Sequence, residues 1–140
     1  MILLDTSVWI DHLRQGDARV VPVLQSGLVL THPFVIGELA CGQLKSRAEI
    51  LGLLAALAQA KVAQEQEVLL FIERHGLMGQ GIGYIDAHLL AATALTEGAR
   101  LWTRDKRLDT LAHRLELAYK PRFPTRKLSG PELPMPRPQE

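Results

Sequence analysis

A single cysteine, Cys41, stands among the 140 residues, so no intramolecular disulfide can form and the cysteine-rich zinc patterns are excluded. It lies in an apolar, helix-like stretch and is expected to be a small core residue; the lack of disulfides points to a reducing, cytoplasmic setting. An excess of one charge is also lacking, since 16 Lys and Arg stand against 15 Asp and Glu and the pI is near 8.0. That balance excludes nucleic-acid binding driven by overall basicity, but it leaves room for an acidic cluster offset by a basic rim. The opening apolar run, Ile2 to Leu4, is too short for a membrane span and lacks the basic flank of a signal peptide, so no membrane association is expected. Gly76–Gly83 contains neither GxxxxGK nor GxGxxG and reads as a flexible connection able to move over a site. His12, His32, His75, His88 and His113 supply no HxxxH or HExxH pair, which argues against zinc. His88 is expected on a surface or in a supporting role. Ser7 lacks a GxSxG elbow, which argues against acyl transfer.

What the chain does have is alternation. With 47% hydrophobic residues, it fits one globular domain burying roughly two-thirds of its unfolded surface. Ile2, Leu3 and Leu4 predict a buried strand that ends abruptly on Asp5, followed by Thr6 and Ser7 at a helix start. Asp5 is thus either a carboxylate delivered to the strand's carboxyl end or merely the cap of the next helix. Val20, Val21, Val23 and Leu24 suggest a short helix whose regular part begins late because of Pro22, with Asp11 and Asp17 in the exposed early region. Leu28–Leu30 reads as a second strand, then a helix from His32 and Pro33 carries Phe34, Val35, Glu38, Leu39 and Leu44. Ser46 and Glu49 have capping-box spacing ahead of Ile50, Leu51, Leu54 and Leu57. Lys61–Ala63 reads as a very short strand. Glu65–His75 reads as a helix with Val68, Leu69 and Ile72 inward and Gly76 as its stop.

A helix from Tyr84 to Glu97 carries Asp86 in its first turn. A strand at Arg100–Thr103 follows, and Arg104 to Arg107 introduce a helix reaching Leu111 or Ala112. Leu115–Tyr119 is a candidate last strand. The prolines at 121, 124, 131, 134, 136 and 138 then preclude regular structure, and disorder is expected from Pro131. The organisation expected is a folded domain over 1–120 and a Pro-rich tail over 121–140.

Strands alternating with helices imply an α/β fold: a three-layer arrangement with a mostly parallel sheet of four to five short strands and sites outside their carboxyl ends. Asp5 and Asp105 follow strands directly, while Glu38 and Asp86 lie on helices that leave the same edge. VIGELA and GYIDAHLL embed those two acids among apolar neighbours, where an unpaired carboxylate costs several kcal/mol, on the order of 2–7 for a polar group and more for a charge. A divalent cation is an economical partner for four converging acids. Oxygen ligands select Mg²⁺, with Mn²⁺ as a substitute, and one or two ions suit phosphodiester hydrolysis.

LLDTSVWID, VIGELACG, YIDAHLLAATAL and LWTRDKRLDTLA, in that order and spacing, resemble the PIN-domain family, and in particular its VapC-type toxin ribonucleases, over roughly residues 1–112. The resemblance implies a PIN-like nuclease domain in which Asp5, Glu38, Asp86 and Asp105 are the catalytic, metal-holding quartet. Ser7 and Thr103 would support it, Asp109 is a candidate either for a second ion or for a surface pair with Arg or Lys, and Arg104, Lys106 and Arg107 are candidates for holding the RNA backbone or are simply a solvated helix start. It also implies an RNA substrate, a cognate antitoxin and a homodimer. The alternatives are a catalytically inactive RNA- or protein-binding module of the same fold, or a phosphoaspartyl protein, against which the missing DxD speaks.

Overall fold

The computed structural model describes residues 1–121. The expectations for Pro124, Pro131 and the rest of the tail lie outside them. The chain opens with β1 (Ile2–Leu4), α1 (Thr6–Gln15), α2 (Val20–Gln25) and β2 (Val29–Thr31), then α3 (Pro33–Ala40), α4 (Arg47–Ala56) and β3 (Ala58–Gln59). It continues with α5 (Glu65–His75), α6 (Tyr84–Leu95), β4 (Arg100–Trp102) and α7 (Lys106–Arg114). The strands form one parallel sheet in the order β3-β2-β1-β4, as expected of a three-layer α/β/α fold.

β1 is central because it is apolar throughout: Leu3 and Leu4 are fully buried and join Leu30, Leu89, Leu90 and Leu101 in the main core. The chain winds outward from β1 through β2 to β3, then returns to place β4 on the other side of β1. That reversal makes the carboxyl ends of β1 and β4 a topological switch point, where α/β sheets open a crevice. The register pairs Leu4 with Trp102, and the Asp5 N–H donates to the Trp102 carbonyl at 2.9 Å. Asp5 and Thr103 therefore leave the sheet side by side.

Several local expectations are corrected. α2 begins at Val20, ahead of Pro22, because the ring occupies the first turn, where no N–H is needed. α3 ends at Ala40, which leaves Leu44 in the following connection and Cys41 exposed at the helix end. Ser46 caps nothing: it sits in a left-handed conformation (φ 52°) without a side-chain bond. The capping contact appears instead at α5, where the Gln64 N–H donates to Glu67 Oε1 at 2.8 Å. The third strand is Ala58–Gln59, and Lys61–Ala63 is connection. Leu69 is 57% exposed, on the outer side of α5. α6 stops at Leu95, and the Leu115–Tyr119 stretch contributes a single parallel bridge, Leu101 to Ala118. No helix among the described residues is long and apolar enough to cross a membrane.

Candidate active site

Asp5 occupies the position before α1, yet its side chain makes no capping bond, so the bland reading of this acid fails. It is 6% exposed, and its Oδ2 accepts hydrogen bonds from Ser7 Oγ and Thr103 Oγ1, both at 2.7 Å. Ser7 Oγ in turn accepts from the Arg104 N–H at 3.0 Å, and Thr103 Oγ1 from the Asp105 N–H at 3.1 Å. The two hydroxyls fasten the end of β4 to the end of β1 through one carboxylate oxygen.

Glu38, exposed on α3, accepts from Thr6 Oγ1 at 2.6 Å through Oε1. Its helix is started by His32, whose Nδ1 accepts from the Phe34 N–H at 3.0 Å. Burial, with His88 nearby, lowers the His32 pKa to about 4, so its ring is neutral at physiological pH. The rings of His32, Phe34, His88 and Tyr84 pack edge to face in sequence, with centroids 5.2, 4.7 and 4.6 Å apart. This aromatic row packs the start of α3 against the start of α6, and so sets Glu38 relative to Asp86. His88 is consequently buried, which removes the surface alternative expected for it and leaves the supporting one.

Asp86 lies in the first turn of α6, where its Oδ2 accepts from the Gly83 N–H at 3.3 Å. Its pKa is raised, first by burial; the Gly83 bond opposes the shift, while the negative charges of Asp5, Asp105 and Glu38 add to it. The structure therefore brings Asp5, Asp105 and Glu38 within electrostatic reach of Asp86. Asp105 precedes α7 and accepts from the Leu108 N–H at 2.9 Å through Oδ1. Each of the four commits one oxygen to the protein, and among the described residues the other oxygen receives no donor. Neither Lys nor Arg pairs with any of them among these residues.

Such oxygens suit a hard divalent cation. Among the described residues no three acidic, His or Cys side chains converge into a ready cage. Mg²⁺ does not require one, because it keeps several waters and binds through one or two carboxylates plus substrate phosphate.

The other predicted residues lie around this edge. Arg104 pairs with Asp11 at 2.8 Å, so it is neither free nor simply solvated. Arg107 lies against Gly81 in the glycine-rich connection, which brings that connection to the start of α7. Lys106 is exposed at the first position of α7. Asp109 lines a cavity with Thr103 and Arg104 and pairs with His113 at 3.3 Å, one turn along α7. Asp17 is the clearest correction: expected to be exposed, it is 1% exposed and held by Arg19 through Nε–Oδ1 and Nη2–Oδ2 contacts of 3.0 and 2.9 Å. Sequence reasoning missed Thr6 as the donor to Glu38, although it stands in the same DTS run as Asp5 and Ser7.

The family model described as PIN domain matches residues 2–114, a span that contains all four acids. The chain belongs to the PIN-domain family. Within it, the protein called Ribonuclease VapC32 of Mycobacterium tuberculosis, in strains CDC 1551 / Oshkosh and ATCC 25618 / H37Rv, is 55% identical over 108 residues, 77% of this PIN-domain chain and 87% of the relative. The crystal structure of FitAcB from Neisseria gonorrhoeae superposes with a TM-score of 0.54 at 22% identity, covering 86% of this chain and 98% of that one. At that identity the likeness concerns the fold of the PIN domain.

Proposed function

We propose that this PIN domain is the toxin of a toxin–antitoxin pair, a Mg²⁺-dependent endoribonuclease that also accepts Mn²⁺. The observation that carries the reading is the set of four carboxylates, each with one oxygen free of protein donors among the described residues, three of which add their charge to the burial that raises the Asp86 pKa. Asp5, Glu38, Asp86 and Asp105 would hold the ion. When bound, the ion neutralises charge on the phosphate and makes water more acidic.

The chain's own contribution is placement. Ser7 and Thr103 fix the rotamer of Asp5, Thr6 fixes Glu38, and the first turns of α6 and α7 hold Asp86 and Asp105 by backbone N–H groups. Arg107 and Lys106 flank Asp105, in position to attract the RNA backbone without reading its sequence. Asp109, engaged with His113, has no part in this reading.

The 55% identity to a protein named Ribonuclease VapC32 favours RNA as substrate. A groove of about 390 Å³ in which Ile10, Leu13, Leu39 and Ile50 adjoin Glu38 suits an antitoxin segment that brings an Arg to the acids, where a bidentate pair would displace the ion. Leu69, Leu70 and Leu95, exposed on α5 and α6, suit a homodimer contact.

The test is cleavage of single-stranded RNA in Mg²⁺, with excess EDTA and with Asp86→Asn as separate arms. EDTA should abolish cleavage, and Asp86→Asn should slow it about 100-fold or more, by analogy with losing one transition-state stabilising group. Full cleavage in EDTA, or a parental rate for Asp86→Asn, sinks the proposal.

A further inference from the structure

A second cavity, of about 500 Å³, opens beside the acids at the carboxyl end of β4. Arg19, Trp102, Thr103, Arg104, Tyr119 and Lys120 line it. Thr103 belongs to both places, since its hydroxyl binds Asp5 at 2.7 Å while its residue forms part of the cavity wall. A ligand in the cavity is therefore one residue away from the proposed reaction.

The wall is built in advance. Buried Asp17 grips Arg19, whose guanidinium lies over the Trp102 ring at 5.2 Å. Tyr119 also meets Trp102, with ring centroids 5.2 Å apart and planes at 47°. The Tyr119 N–H donates to the Leu101 carbonyl at 2.8 Å, which ties the tyrosine alongside β4. Asp11 holds Arg104 at 2.8 Å, and Lys120, exposed at the rim, has no ion pair among the described residues. Asp109 also faces the cavity, but His113 engages it.

Aromatic surface beside cations is what an unpaired nucleotide requires: stacking for the base and positive charge for the phosphate. The volume lies in the range of small-ligand sites, about 300–1,000 Å³. We infer that this cavity is a nucleotide subsite, receiving one unpaired nucleotide of the RNA next to the cleaved bond, with the base against Tyr119 and the phosphate between Arg104 and Lys120. The inference rests on the ribonuclease reading and adds where the strand is gripped.

Trp102 makes it measurable. The chain has two tryptophans, so Trp9→Phe leaves Trp102 as the one reporter. In that background, with Asp86→Asn to slow cleavage, an unstructured ten-nucleotide RNA is titrated in Mg²⁺ while Trp102 emission and the anisotropy of an RNA label are followed. The emission should change with the same midpoint as the anisotropy. Tyr119→Ala should weaken binding about 10-fold, within the range for a lost base stack, while Tyr119→Phe retains it. Lys120→Ala should reduce the salt slope by about one phosphate contact, and its exposed position keeps the test alive if Tyr119→Ala fails to fold. RNA binding with unchanged Trp102 emission, or with parental affinity and salt slope in Tyr119→Ala and Lys120→Ala, overturns the subsite. Cleavage by the unsubstituted chain is measured separately: its absence defeats the ribonuclease reading, whereas cleavage without the Trp102 response defeats the subsite alone.

Discussion

Asp5 and Asp17 are both buried carboxylates, and they answer the cost of burial in different ways. Asp17 has an arginine: burial alone would raise its pKa, but the bonds and charge of Arg19, aided by Arg104, outweigh that and lower it. Asp5 has two neutral hydroxyls and keeps its second oxygen without a donor among the described residues. The first arrangement is a closed structural pair, and the second leaves an oxygen for a ligand. Asp17→Ala should therefore cost about 3 kcal/mol, because it leaves the Arg19 guanidinium, only 12% exposed, without its partner, and a urea titration reads the loss. Because the folded pKa of Asp17 is depressed, its contribution is present above the ordinary carboxylate value of about 4 and fades as pH falls through the lower folded value. Asp86 has the opposite sign. Its raised folded pKa means that stability is lost as pH rises through that value, so in EDTA at pH 7 Asp86→Asn should melt above the parent. The advantage should vanish once acid protonates Asp86 in both folded and unfolded chains. An Asp86→Asn melt equal to the parent's at pH 7 would contradict the burial and the crowding of charge described above.

At the scale of elements, the legible parts were those whose signals lie within a few residues. α5 falls on Glu65–His75 as its periodicity and terminal Gly76 indicate, and β1 ends at Leu4, directly before Asp5, as its apolar run requires. Capping was less legible: Ser46 and Glu49 match a capping box by spacing, but the preceding connection turns Ser46 left-handed and removes its side chain from the helix end. Ser46→Gly should accordingly stabilise the fold by about 1 kcal/mol, the cost a side chain incurs in that region, as read by urea midpoint. Gly81 and Gly27 form a matched pair for another test. Both have positive φ, 82° and 72°, so Ala at either should cost about 1–2 kcal/mol through strain. At Gly81 the new Cβ would also lie 2.7 Å from the Arg107 side chain, a flexible group that can yield, whereas Gly27 has nothing within 4 Å. Gly81→Ala should thus lower RNA affinity as Arg107 is displaced, and Gly27→Ala should leave it unchanged; equal RNA affinities would show that Arg107 does not contact the substrate.

For the whole molecule, the reversal of strand order gathers acids that are 100 residues apart in sequence, from Asp5 to Asp105, at one edge. Binding of a cation there should stabilise the native state by mass action, about 2.7 kcal/mol at a hundredfold excess over Kd. Mg²⁺ should raise the melting temperature of the parent more than that of the Asp5→Asn/Asp86→Asn double variant, in which two donors are lost. An equal rise in both would place the ion elsewhere.

The order of strands and helices, the acids that terminate or follow them, and the membership of the PIN-domain family were carried by short stretches of sequence. Hydrophobic periodicity and turn residues act over a few positions, and the motifs around Asp5, Glu38, Asp86 and Asp105 kept their spacing. Only the tertiary structure decided that Asp17 is buried against Arg19, that His88 is enclosed by Phe34 and Tyr84, and that Cys41 faces outward. It also set Thr103 beside Asp5 and built the Arg19–Trp102–Tyr119 wall. These pairings join residues from separate elements, and they depend on sheet register and helix packing, which no local pattern of apolar and polar residues specifies.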